Sequence, residues 1–244
     1  VMSNKLPDIG IVGYSDFNRL LAKHLAPYVT IKMCSRRPIA ESSSDFVAST
    51  DREVLACPIV IPSIPAQHLE AYFTKHMQYL NPDALIVDVC SVKVMPTEVL
   101  QRILPPTTMH LATHPMFGPA SASDGIKGKK LMLHPVRMPN HTYLKVKDFL
   151  QTDLGLQLIE CAPEEHDKMM AYVQGLSHYI GRLMQVMDIP ETNLATNAYV
   201  DLLDMKRIQG NDSWELFESI IYQNPYAADI QKQFKQAIKT LDER

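Results

Sequence analysis

The stretch GIVGYSDFNRLLAKHL, residues 10–25, joins an apolar run, a glycine and an amphipathic helical pattern. The apolar residues before Gly13 predict a short buried strand, and the residues from Asp16 onward predict a helix. A glycine between the two permits a tight turn, because it has no Cβ to restrict φ. We therefore expect a strand, a turn and a helix here, which is the opening unit of an alternating fold.

The same alternation continues through the first two-thirds of the chain. Predicted strands cover residues 8–13, 29–34, 45–48, 58–64, 84–90, 109–114, 130–135 and 156–161, and predicted helices between them cover 16–25, 66–80, 93–104 and 141–154. Strands that alternate with helices predict βαβ units and a parallel sheet. After Cys161 the apolar residues follow helical spacing, so the remainder is predicted to be all helix.

The composition gives no reason to expect nucleic acid or a membrane as partner. The formal net charge is −3 in 244 residues, and no apolar run approaches the ~20 residues that span a bilayer. No apolar segment of a signal peptide is visible at the start of the sequence, and the four scattered cysteines include no C-x-x-C pair. We therefore expect reduced thiols and a cytoplasmic location.

The turn at Gly13 matches a dinucleotide-binding fingerprint in part. In the pattern G-x-G-x-x-G, Gly13 fills the first position, whereas Ser15 and Asn18 replace the second and third glycines. The amides at the start of the following helix favour a phosphate, so Gly13, Ser15, Asp16 and Phe17 are predicted to bind a cofactor. Asn18 is bulky for its position and requires a local adjustment. A plain turn is the alternative that this stretch leaves open.

The end of the second predicted strand indicates which dinucleotide fits. It reads CSRRP, with Ser35, Arg36 and Arg37 at the place where NAD-binding folds carry an acidic residue. Guanidinium groups suit a phosphate dianion, so we predict NADP as the cofactor, with NAD as the alternative. A pair of solvated surface arginines is the other interpretation.

Four later blocks carry a more specific resemblance. They are DVCSVK (88–93), THPMFGPASASDG (113–125), EEHDKMMAYVQGLSHYIGR (164–182) and TNAYVDLLDMKRIQGNDSWELFESI (196–220). In this order they resemble the prephenate/arogenate dehydrogenase family of tyrosine biosynthesis, with middle blocks similar to plant-type arogenate dehydrogenases. The resemblance implies an α/β Rossmann-type domain with a parallel sheet over residues 1–162 and a smaller all-helical dimerisation domain over 163–244. It also implies a homodimer with a small-molecule substrate.

The resemblance assigns roles to four residues, and helical spacing adds a fifth. His114 matches the catalytic base, which takes a hydroxyl proton from the substrate, and Ser91 matches the serine that orients it. His178 and Arg207 match substrate-binding residues, and Gln174 lies four residues before His178 on the predicted helix. The residues alone leave two alternatives: Ser91 as the cap of the next helix, and His178 as a histidine of a dimer interface.

A metal site is not predicted. His110 and His114 are four residues apart, but on a strand that spacing does not bring ligands together as it does on a helix, and a third ligand is lacking.

Two rival functions remain. A related β-hydroxyacid or imine reductase would use the same architecture. A non-catalytic descendant that binds a metabolite or a partner would explain why Ser15 and Asn18 replace glycines. The joint presence of four residues favours an NADP-dependent oxidative decarboxylation of prephenate or arogenate: Ser91, His114, His178 and Arg207.

Overall fold

The computed structural model describes residues 7–243, which form two compact units. The first unit extends to Pro163 and the second begins at Glu164. The first unit contains one sheet, whose strands are β1 Ile9–Val12, β2 Ile31–Cys34, β3 Val47–Ala48, β4 Ile59–Pro62, β5 Leu85–Asp88, β6 Met109–Pro115, β7 Lys130–Arg137 and β8 Gln157–Glu160.

The strand order β3-β2-β1-β4-β5-β6-β7-β8 confirms the predicted α/β Rossmann-type fold. β1 lies between β2 and β4 and is parallel to both, with Ile9 opposite Ile31 on one side and Ile59 on the other. The order of the strands therefore reverses at β1. In open α/β sheets, ligands bind beyond the carboxyl ends of the strands at such a point.

One pair of strands departs from the predicted parallel sheet. β7 runs antiparallel to β6, because the connection between them, residues 116–129, contains no helix. A parallel return requires a crossover connection, usually a helix. The helix after β7 supplies such a crossover, and β8 is parallel to β7.

Helices cover both faces of this sheet. They are α1 Asp16–Leu25, α2 Asp51–Leu55, α3 Leu69–His76, α4 Val94–Ile103 and α5 Asn140–Asp148, with 3₁₀ turns at Ala66–His68 and Met77–Tyr79 and a π-helical segment at Phe149–Asp153. Phe73 and Leu100 pack in the cluster under α2, α3 and α4, and Ile11 and Ala22 pack in the cluster under α1. Since alternate residues of a strand face opposite sides, β1 contributes to both clusters.

The short helix α2 was not predicted. It has only five residues, and its start is fixed by a capping box in which the Thr50 and Glu53 side chains each bond to the other residue's backbone N–H. The T-x-x-E pattern is a recognised start signal, but so short a helix leaves almost no periodic pattern.

The second unit is helical. α6 begins at Pro163, the last residue of the first unit, and the helices are α6 Pro163–Met170, α7 Ser177–Val186, α8 Asn197–Gly210, α9 Trp214–Tyr222 and α10 Ala227–Asp242. The continuous helix predicted after Cys161 is interrupted by a π-helical segment at Ala171–Leu176. Phe217, Ile220 and Ile221 form the apolar cluster of this unit.

Candidate active site

The turn after β1 requires glycine at its first position. Gly13 has φ +113°, and a Cβ on it would lie 2.4 Å from the carbonyl oxygen of Ser63. The Gly13 amide donates to the Cys34 carbonyl at 2.8 Å, and the Ser63 amide donates to the Val12 carbonyl at 2.9 Å. The turn is therefore held between the ends of β2 and β4, at the point where the strand order reverses.

The two replaced glycines have defined roles in this turn. Ser15 is the N-cap of α1, and its hydroxyl accepts the Asn18 amide at 3.2 Å. The Asn18 side chain is fully buried, and its Oδ1 accepts the Ser63 hydroxyl at 2.5 Å. The turn thus accommodates the bulkier Asn18 by burying its side chain, which is hydrogen-bonded to Ser63, the residue after β4. The Asn18 Nδ2 has no hydrogen-bond partner among residues 7–243.

The next two predicted cofactor residues face different surroundings. Asp16 is exposed and pairs with Arg19 in the first turn of α1. The Phe17 ring packs against Phe117, with a centroid separation of 6.4 Å. Their backbone amides lie at the start of α1, where anion binding is favoured; their role in binding a cofactor stays a prediction.

The end of β2 presents two exposed cations. Arg36 and Arg37 are exposed and Ser35 is half-buried. Within the described residues, neither arginine forms an ion pair. A phosphate can therefore be bound there without breaking an existing pair.

An acidic residue reaches the end of β2 from further along the chain. The Asp51 carboxylate lies 3.4 Å from the Cys34 sulfur and accepts the Tyr72 hydroxyl at 2.7 Å. Burial and this neighbouring carboxylate raise the pKa of Cys34 to about 12. The sequence did not reveal this contact, because Asp51 lies 17 positions after Cys34.

Ser91 follows the end of β5, and His114 lies near the end of the neighbouring strand β6. β5 and β6 are parallel, and Asp88 lies opposite Ala112. Counted from this pair, Ser91 is three residues and His114 two residues further along the chain. His114 is 3% exposed, and Ser91 is half-buried. Helix α4 has Lys93 as its N-cap, without a side-chain cap. The interpretation of Ser91 as the cap of this helix is therefore wrong.

A buried polar cluster lies between these two strands, and the sequence analysis missed it. The Lys93 ammonium donates to Oδ1 of Asp88, and the His110 Nε2 lies 2.9 Å from Oδ2 of the same carboxylate. All three side chains are 0% exposed. Burial alone raises the pKa of Asp88, but Lys93 and His110 outweigh it and hold the pKa below its usual range. The sequence offered one signal for this cluster: Asp88 lies near the end of a predicted strand, and Lys93 follows it by five residues.

In the second unit, His178 is buried on α7. Burial, reinforced by the charge of Arg182, lowers its pKa to about 4. The Asp212 carboxylate lies 3.9 Å from the His178 Nδ1, which is beyond hydrogen-bond distance. His178 is therefore neutral near pH 7 and suited to hydrogen bonding rather than to charge pairing.

Gln174 lies in the π-helical segment rather than on a regular α-helix. The argument that residues 174 and 178 share a face assumes 3.6 residues per turn, and the wider π turn removes that assumption. Its assignment to the substrate site loses the support of regular helical spacing and stays a prediction.

Arg207 is exposed on α8, and its guanidinium donates to Asp204 at 3.0 Å. A different arginine of this unit is buried: Arg182 is 5% exposed and lies 4.3 Å from the centre of the Trp214 ring. Trp214 is itself 56% exposed, so it is not a core residue.

Residues 7–243 contain neither a metal-ligand cluster nor a membrane-spanning helix. No group of three or more His, Cys, Asp or Glu side chains is placed to hold a metal ion. None of the helices has the length and apolar character needed to cross a membrane.

These features define a class of protein. A sheet whose order reverses at β1, a glycine turn at that point and exposed arginines beyond β2 are typical of dinucleotide-binding α/β proteins.

Comparison with known proteins gives the family. A family model described as the nucleotide-binding domain of prephenate dehydrogenase matches residues 39–156, and one described as a TYRAAT1-like C-terminal domain matches 183–244. Arogenate dehydrogenase 1 of Arabidopsis thaliana is 27% identical over 96% of this chain and 38% of its own length. Arogenate dehydrogenase 2 of the same plant is 30% identical over 67% of this chain and 47% of its own length. The chain belongs to the prephenate/arogenate dehydrogenase family.

Solved structures share the fold. Prephenate dehydrogenase from A. aeolicus, in complex with hydroxyphenyl propionate and NAD⁺, has a TM-score of 0.75 at 20% identity, with 98% of this chain and 90% of that chain covered. Synechocystis arogenate dehydrogenase has a TM-score of 0.71 at 19% identity, with coverage of 97% and 91%. The chain spans less than half the length of the two Arabidopsis relatives.

Proposed function

We propose that this protein is an NADP-dependent dehydrogenase that oxidatively decarboxylates prephenate or arogenate. The observation that carries the proposal is the placement of Ser91 just after the end of β5 and of His114 near the end of the neighbouring parallel strand β6, on the same sheet as the Gly13 turn. Family membership supports the reaction type. Both substrates carry a ring hydroxyl and a ring carboxylate, and the product in each case is a phenol.

The chemistry needs a proton acceptor at the ring hydroxyl. His114 takes that proton, because a neutral imidazole can accept one near pH 7, and Ser91 orients the hydroxyl and the imidazole. A nicotinamide dinucleotide, when bound, supplies the acceptor for the hydride that leaves the carbinol carbon. The electron pair of the bond to the ring carboxylate then enters the ring as carbon dioxide leaves, and the ring becomes aromatic.

The second unit supplies the proposed substrate contacts. Arg207 has an exposed guanidinium with one nitrogen on Asp204, which leaves further N–H groups for a carboxylate. His178 is neutral near pH 7, so it acts as a hydrogen-bond partner. These two roles rest on the family resemblance, and Gln174 is included because it lies four residues before His178.

The residues around Gly13 and Arg36 fit a nicotinamide dinucleotide. The space beside Gly13 has no room for a side chain, and α1 begins directly after the turn. Arg36 and Arg37 favour NADP, because they have no carboxylate partner in the part of the chain that the structure describes. Asp51 near Cys34 is the residue that favours NAD instead.

A homodimer in the cytoplasm completes the proposal. Apolar side chains are exposed in the second unit, including Val186 at 75% and Leu194 at 85%, which is typical of interaction surfaces. The two Arabidopsis relatives are named as chloroplastic, so the location is tested by fractionation of cells that express the protein.

Calorimetric titration with NADP and then NAD, followed by rate assays with prephenate and arogenate, tests the function. We expect saturable binding of NADP and release of carbon dioxide with one of the two substrates. Turnover without carbon dioxide on an imine or β-hydroxyacid would indicate the related reductases. A folded protein that binds neither cofactor would favour the non-catalytic descendant, for which the replacement of two glycines by Ser15 and Asn18 is the supporting observation.

A further inference from the structure

A network of buried polar groups connects the segment that carries Ser91 to the strand that carries His114. Asp88, at the end of β5, and Lys93, before α4, pair with each other across the segment 88–93. The Cys90 amide also donates to the Asp88 carboxylate at 3.3 Å. The segment with Ser91 is therefore closed into a loop by its own ends.

The same groups bind the loop to β6. The Lys93 ammonium donates to the Thr113 carbonyl at 2.5 Å, and the Thr113 hydroxyl donates to the Asp88 carbonyl at 2.7 Å. Thr113 directly precedes His114 in the sequence. Two bonds in opposite directions thus fix the position of the loop along β6, one residue from the proposed base.

His110 completes the network from within β6. Its Nε2 lies 2.9 Å from the Asp88 carboxylate. Because an ionised carboxylate only accepts hydrogen bonds, Nε2 carries the proton. The Asp88 carboxylate is then held on both oxygens, one by the loop and one by the strand.

Stability alone is a poor explanation for this arrangement. A buried ion pair is often no better for stability than apolar residues of similar volume, since both charges lose their hydration. Directional bonds, unlike apolar contacts, fix the relative position of the groups that they join.

We propose that Asp88, Lys93 and His110 are positioning residues that set the Ser91 loop against the strand of His114. This inference rests on the proposed function. Displacement of a reacting group by about 1 Å can lower a rate by roughly 100-fold, so loss of the network reduces turnover without removing the cofactor site.

The test compares Lys93→Met, His110→Leu and His110→Gln with Tyr143→Phe as the matched control. Tyr143 is also buried in the first unit, and the substitution removes its hydrogen bond to Glu160 at 2.6 Å, away from the loop. Each variant is measured for melting temperature, NADP affinity, kcat, KM and hydrogen exchange of the 89–93 amides.

We expect Lys93→Met and His110→Leu to lower kcat by at least about tenfold, with NADP affinity and KM little changed. His110→Gln keeps a donor toward Asp88 and should recover most of the rate. Tyr143→Phe should lower the melting temperature while kcat stays at the parent value. If Lys93→Met does not fold, the comparison of kcat between His110→Leu and His110→Gln tests the proposal.

The proposal is overturned if folded His110→Leu keeps the parent kcat and the parent exchange rates. It is also overturned if kcat falls in proportion to melting temperature in all variants, the control included. If the parent turns over neither substrate, the proposed function fails, and hydrogen exchange still tests the positioning. Faster exchange of 89–93 in His110→Leu but not in Tyr143→Phe then supports it.

Discussion

At the scale of single residues, the chemistry of the proposed site depends on His114. It is 3% exposed at the end of β6, where a rigid strand holds it. We expect His114→Asn to lower kcat by roughly two to four orders of magnitude, because the amide cannot accept a proton as imidazole does. Calorimetry should show unchanged NADP affinity. A variant as fast as the parent would remove His114 from the mechanism.

His178 makes stability depend on pH. Its pKa lies at about 4, lowered from 6.5 by burial and by Arg182, and Asp212 is the carboxylate beside it. Below pH 6.5 the His178 side chain is protonated in the unfolded chain, whereas in the folded chain it stays neutral until about pH 4. The free energy of unfolding therefore falls as the pH drops through this range. The loss is up to about 3 kcal/mol at the low end.

Urea unfolding at pH 7 and pH 5 measures this effect. His178→Gln should show a smaller difference between the two pH values than the parent. His141→Gln, which changes an exposed histidine on α5, serves as the control and should behave as the parent does. Equal pH dependence in His178→Gln and parent would show that the group does not titrate as described.

At the scale of elements, the turn between β1 and α1 depends on one glycine. A side chain at position 13 would have to shift the Ser63 carbonyl, 2.4 Å away, and adopt φ +113°. We expect Gly13→Ala to cost roughly 1–3 kcal/mol from backbone strain alone and to abolish cofactor binding. A Cβ on Gly118 meets nothing within 4 Å, so Gly118→Ala should leave the melting temperature unchanged. NADP binding by Gly13→Ala at parent affinity would contradict this account of the turn.

Asn18, which replaces the third glycine of the fingerprint, supports the same turn by a hydrogen bond to Ser63. Asn18→Gly restores the fingerprint in sequence but removes the bond to Ser63 and places a glycine in the first turn of α1. We expect the free energy of unfolding to fall by ~1–2 kcal/mol. Asn18→Gly and Ser63→Ala combined should lose less than the sum of the single losses, measured by urea unfolding. Additive losses would show that the bond contributes nothing.

At the scale of the whole molecule, the exposed apolar side chains of the second unit predict self-association. Sedimentation equilibrium should show a dimer at micromolar concentration. Replacing Val186 and Leu194 by Asp should shift the protein to monomer without changing the melting temperature of a dilute sample, because both side chains are exposed in one chain. A parent that is monomeric at every concentration would overturn the proposed dimer.

Local patterns in the sequence determined much of this protein. Every predicted strand is present and α1 has the bounds expected from its pattern, because burial periodicity and turn residues are local properties. The family was indicated by the resemblance of four sequence blocks, which include Ser91, His114 and Arg207. The tertiary structure alone decided three contacts: Asn18 with Ser63, Asp51 with Cys34, and Asp88 with His110. These partners are 45, 17 and 22 positions apart, and they meet only when separate strands and helices are aligned by sheet pairing. The antiparallel direction of β7 likewise followed from the missing crossover helix, which no pattern within the strand reports.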